Sequence, residues 1–149
     1  MIILDETDYI YEEAKRLEQG LELLDRNRLA KYLLDENKAE KRSVLIFTEV
    51  LLIHLLKCIY QPEKITRSWH KSIKNCFKSL SVYVGESKLL YNYLNDNFDK
   101  VYRRARNEAS LETCIPIDTF PKDNIFKIDD ILNEDWIYDF LEEHKIVEW

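Results

Sequence analysis

Apolar residues recur three and four positions apart along nearly the whole chain, which is the spacing of one buried helix face. A first helix is expected from about Asp8 to Gln19, opened by Thr7 or Asp8 and stopped at Gly20. A second is expected over about 25–36, turning Leu29 and Leu33 inward with Tyr32 beside them. The third, over about 39–61, is the longest apolar one and is expected to be the central element. Pro62 ends it, because proline offers no amide donor and clashes with the preceding turn.

A fourth helix follows from about Arg67 to Ser81, with Thr66 placed to cap it. Val82 to Gly85 is expected to turn, Gly85 supplying a left-handed residue that closes the helix. The fifth, over about 87–112, aligns Leu90, Leu94, Phe98, Val101, Ala105 and Ala109 on one side. "TCIPIDTFPKDN" then reads as an irregular tie lying across the bundle. Helical spacing returns from Ile128 to about Glu143 through Ile131, Leu132, Trp136 and Phe140. The chain is therefore expected to be all-α: residues 1–149 as a single domain, a bundle of five to six helices around the helix at 39–61. No internal repeat is visible.

Composition narrows this further. A chain of 149 residues has the size of one ordinary domain. Two glycines and three prolines leave little material for hairpins, which argues against an all-β fold. The acidic N-terminus lacks the basic start and long apolar core of a secretory signal. The most apolar run, Val44 to Tyr60, is interrupted by Glu49, His54 and Lys57, so it reads as a core helix with no membrane partner. Three cysteines with no short-spaced pair fit reduced thiols in a cytoplasm.

The net charge of −6 conceals an uneven layout. Residues 1–36 carry ten acids and five bases, 37–106 six acids and fourteen bases, and 107–149 twelve acids and three bases. A basic centre between acidic ends either neutralises itself within the fold or marks a face for an anionic partner. The fourth helix is where this matters. Trp69, Ile73, Cys76, Phe77 and Leu80 make one apolar face, while Arg67, Lys71, Lys74 and Lys78 make one basic stripe. In the fifth helix, Asp96 and Asp99 each precede a base by four residues and relieve it. The fourth has no such relief, since no Asp or Glu occurs from Lys64 to Gly85.

The block "HLLK" followed by "YQPEK" and "RSW" resembles a largely cyanobacterial family called domain of unknown function 29. "EKR" at 40–42 fits, as does the pattern Tyr-x-x-Ala-Arg-x-x-Ala at Tyr102, Ala105, Arg106 and Ala109. So do "ET" at 112–113, "FP" at 120–121 and "DILNEDW" near the tail. The similarity runs from about residue 5 to about 137, which leaves 138–149 as a C-terminal helical extension. Two places depart. Ile73 to Phe77 stands where the family often shows Ile-x-x-Gln-Arg, and Asn124-Ile125-Phe126 stands where Cys-Pro often precedes an aromatic. The resemblance implies an all-helical fold and supplies no activity.

Candidate chemistry is thin. His54 falls on the apolar side of its helix near Phe47, Leu51 and Cys58, so a core histidine bonded to a backbone or side-chain acceptor is the better reading. His54 and Cys58, four apart, make half of a zinc site, and His70, Cys76 and Cys114 would all have to converge to complete one. No metal and no cofactor is expected. No nucleophile elbow or phosphate-cradling glycine loop occurs. Cys58 and Cys76 sit on apolar faces, where a thiol acts as a small hydrophobe. Trp69 reads as core and His70 as solvated. The leading reading is a cytoplasmic, non-catalytic protein-interaction module whose partner is another protein or a second copy. The alternative is a nucleic-acid-associated protein using the stripe with Arg103, Arg104 and Arg106, which the overall acidity disfavours. An enzyme centred on His54 ranks third.

Overall fold

Helix accounts for most of the computed structural model, which describes residues 6–18 and 26–147, with no strand among them. Helix α1 spans Glu6–Glu18, so it is already helical where Thr7 or Asp8 was expected to open it. Its expected stop at Gln19 and Gly20 lies outside the described residues. Helix α2 runs unbroken over Arg26–Tyr60 and joins the two helices expected at 25–36 and 39–61. The expected break at Asn37 and Lys38 had only weak support: asparagine in a helix interior costs about half a kcal/mol relative to alanine. Neither glycine nor proline occurs between Leu21 and Gln61. Pro62 does end the helix and begins a single 3-10 turn, Pro62–Lys64.

Helix α3 covers Arg67–Gly85, and Thr66 Oγ1 caps it by accepting from the Trp69 amide at 3.1 Å. It continues through Val82–Gly85 without turning, and Gly85 is its last helical residue, with no left-handed φ. The left-handed closure occurs one helix later, at Cys114 (φ 59°), which ends α4 (Lys88–Thr113). Ser87 Oγ caps the start of α4 through the Leu90 amide at 3.1 Å. The tail helix is broken in two. Helix α5 is the single turn Ile128–Ile131, and α6 is Glu134–Glu143, capped by Asn133 Oδ1 on the Trp136 amide.

The chain divides within α2 into two compact units, Met1–Ala39 and Glu40–Trp149. In the second unit the core runs along α2 from Val44 through Leu51, Leu52, Leu55 and Leu56, all fully buried. Each such side chain contributes about 1.5–3 kcal/mol of burial free energy. Helix α3 covers this stretch with Ile73 and Leu80, and α4 adds Leu94, Ala105 and Ala109. Phe47 stacks on Tyr83 with ring centroids 6.1 Å apart. By length and composition α2 could cross a membrane. Its core-facing side is covered by protein from Val44 onward, while nearer its start Leu33, which was expected to face inward, and Leu34 are exposed.

The segment from Cys114 to Lys127 lies along α4, as an irregular tie should. Arg106 Nε and Nη2 donate to the carbonyls of Phe120 and Ile117 at 3.1 and 3.0 Å. The Tyr102 hydroxyl donates to the Pro121 carbonyl, and Ser110 Oγ donates to Ile115 at 2.6 Å. Phe120 is buried and meets Tyr60 edge-on at 5.1 Å, which anchors the tie to the end of α2. Where the sequence departs from the family pattern, Asn124 Oδ1 accepts from the Phe126 amide at 2.9 Å, and buried Phe126 packs against Tyr102. Tyr91 donates to Asp129 Oδ1 at 2.6 Å and so joins α4 to α5.

Candidate functional site

Helix α3 divides as its sequence pattern requires. Ile73, Cys76, Leu80 and Val84 are buried, and Trp69 and Phe77 pack half-buried against them. Arg67, Lys71, Lys74 and Lys78 are all exposed on the other side. At 1.5 Å per residue the stripe is about 16 Å long. Trp69 is no open stacking platform, because Lys57 Nζ sits 4.5 Å from its ring centroid.

Beside the stripe, α3 and the C-terminal segment enclose an open cleft of ≈ 320 Å³. His70 and Lys74 contribute from α3, Tyr138, Leu141 and Glu142 from α6, and Lys145 and Ile146 from the residues after it. Lys74 Nζ lies 6.0 Å from the Tyr138 ring centroid. His70, expected to be solvated, is instead half-buried, with Nε2 2.5 Å from the His144 carbonyl. A carbonyl only accepts, so Nε2 carries the proton. His144 stacks on Phe140 with centroids 4.0 Å apart, and its Nδ1–H donates to the Phe140 carbonyl at 2.8 Å. The Val147 amide donates to Ile65 at 2.9 Å. These bonds fix the wall of the cleft. Its lining joins Tyr138, Leu141 and Ile146 to two lysines and one carboxylate, which suits an apolar side chain flanked by acids.

His54 lies partly buried, with Nδ1 2.8 Å from the Val50 carbonyl one turn back. Burial holds its pKa below 6.5, outweighing the hydrogen bond to Val50 that favours the charged form. It is a neutral side chain closed onto its own helix. Burial pushes the Cys58 thiol up to about 12 and raises Cys76 as well, so neither is a thiolate nucleophile near neutral pH. Cys114 is exposed. Among the described residues, no three His, Cys, Asp or Glu side chains come together to hold a metal.

Two of the secondary arginines have surroundings of their own. Arg106 is bound to the backbone carbonyls of the tie, as described above. Arg103 shares a cleft of ≈ 310 Å³ with Lys122, Asp99 and Asp123, so carboxylates already stand beside it. Arg104 is exposed. The sequence reading missed Tyr138, Leu141, Glu142, Lys145 and Ile146. The spacing of Tyr138, Leu141 and Lys145 by three and four residues was the available signal, and it does not say which helix they face.

The chain belongs to the family described as domain of unknown function DUF29, whose model matches residues 4–137. No curated protein and no solved structure matches it. Five of the seven residues lining the cleft beside the stripe follow position 137, past the part shared with the family.

Proposed function

We propose that this protein is a non-catalytic, cytoplasmic interaction module that holds an acidic segment of a partner protein along α3. The observation that carries this reading is the continuity of the exposed stripe with a part-apolar cleft through Lys74, which belongs to both. An acidic segment pairs with Lys71 and Lys78, while one of its apolar side chains enters between Tyr138, Leu141 and Ile146. The three free thiols support a reducing compartment. Overall acidity, the engagement of Arg106 and the presence of Glu142 in the cleft favour a protein over a nucleic acid.

A fluorescein-labelled glutamate-rich peptide containing one phenylalanine tests this by anisotropy, beside the same peptide with alanine and a labelled single-stranded DNA. The phenylalanine peptide should bind best, and its affinity should fall as salt rises. DNA binding tighter than either peptide, with a steep loss in salt, would transfer the stripe to the nucleic-acid reading. Failure of both peptides to bind would remove the proposal.

A further inference from the structure

Past the end of α6, residues 144–147 are not helical, yet they are tied to the start of α3 at two points. His70 Nε2–H donates to the His144 carbonyl, and the Val147 amide donates to the carbonyl of buried Ile65, just ahead of the Thr66 cap. The stacking of His144 on Phe140 fixes the first residue of this strap to α6 and leaves the rest to those bonds. Lys145 is exposed, and Ile146 and Val147 keep 38% and 43% of their surface accessible. Segments with so few buried apolar contacts open locally at low cost, so hydrogen bonds decide where the strap lies. His70 and Lys74, four residues apart, share a side of α3 and both line the cleft. The strap supplies Lys145 and Ile146 to the same cleft.

We infer that His70 is a specificity-determining residue that acts by positioning. Its bond to His144 holds the strap where Ile146 closes the cleft around an apolar side chain of the acidic partner. This role rests on the proposed function and divides the work of binding between two surfaces. Lys71 and Lys78 lie exposed outside the cleft, so they attract an acidic segment without choosing among its apolar residues. The choice falls to Tyr138, Leu141 and Ile146. Tyr138 and Leu141 are carried by α6 itself, whereas Ile146 stands on the strap and depends on what holds it.

The acidic peptides with phenylalanine and with alanine read this as a ratio of affinities, beside amide hydrogen exchange at Val147 followed by NMR. The wild type should bind the phenylalanine peptide about tenfold tighter than the alanine one, the order expected for partly burying a ring, and its Val147 amide should be protected. His70→Leu keeps the bulk and removes the donor, so the ratio should fall most of the way to unity and Val147 should exchange faster. His70→Gln, whose side-chain amide can donate to the same carbonyl, should restore both. Ile146→Ser changes an exposed side chain outside the core and should lower the ratio in a protein that melts as the wild type does. A wild type that binds neither peptide removes the proposed function and this role with it. A wild type that binds both equally overturns this role alone and leaves the stripe standing. So does a ratio unchanged in His70→Leu or Ile146→Ser, or one lost in His70→Leu while Val147 stays protected.

Discussion

At the scale of single residues, His54 shows how burial decides between chemistry and structure. Its folded pKa lies below the 6.5 of the free side chain because the site disfavours the charged ring. The unfolded chain therefore binds the proton more readily. Stability from this group is fully present above 6.5 and is lost as pH falls from there toward the folded pKa. Wild-type thermal stability should accordingly decline as pH drops below 6.5, and His54→Gln should flatten that part of the profile. His54→Ala should cost about 1–3 kcal/mol by denaturant unfolding, through an emptied and partly unsatisfied site. His54→Gln should leave peptide binding unchanged, and loss of binding in that variant would give the ring a direct role. Arg106 makes a second case. Removing its two charge-assisted bonds to the Ile117 and Phe120 carbonyls in Arg106→Ala should cost about 1.5–3 kcal/mol and loosen the tie. A stability unchanged within error would refute that structural role.

Among the elements, the ends of α3 and α4 are where local conformation and residue type disagree. Gly85 sits inside the last turn of α3, and a Cβ placed there meets no atom within 4 Å. Gly85→Ala should therefore stabilise the protein by about 0.5–1 kcal/mol. Cys114, by contrast, holds a left-handed backbone that suits glycine, so Cys114→Gly should stabilise by about 1 kcal/mol. Denaturant midpoints check both, and a loss of stability in either would contradict the geometry. The same contrast explains what was legible in the sequence. Thr66 could be read as a cap because its hydroxyl acts three residues away in its own helix. The apolar and basic faces of α3 were legible because helix periodicity alone separates them. The join within α2 was not, since one asparagine is a weak stop. The outward turn of Leu33 was not either, because burial depends on a neighbour that periodicity does not name. The cleft was hidden for the same reason: His70 meets His144 across 74 positions of sequence.

For the whole molecule, the uneven charge layout resolves into position. Helix α6, whose charged residues are all acidic, packs against α3, and Glu142 shares a cleft with Lys74. One end of the acid–base layout thus meets the stripe at the cleft that Lys74 lines, while Lys71 and Lys78 stand exposed outside that cleft. The proposal rests on the charge of the stripe being available to a partner. The double reversal Lys71→Glu with Lys74→Glu tests it most directly, with peptide affinity and melting temperature measured on the same sample. Both side chains are exposed, so the folding free energy should move by no more than about half a kcal/mol. Affinity for the phenylalanine-containing acidic peptide should fall tenfold or more, equivalent to about 1.4 kcal/mol. An unchanged affinity and melting temperature would leave the stripe an ordinary solvated face and contradict the account. So would a large drop in melting temperature that salt restores, because the stripe's charge would then be engaged by the acidic residues of the chain itself.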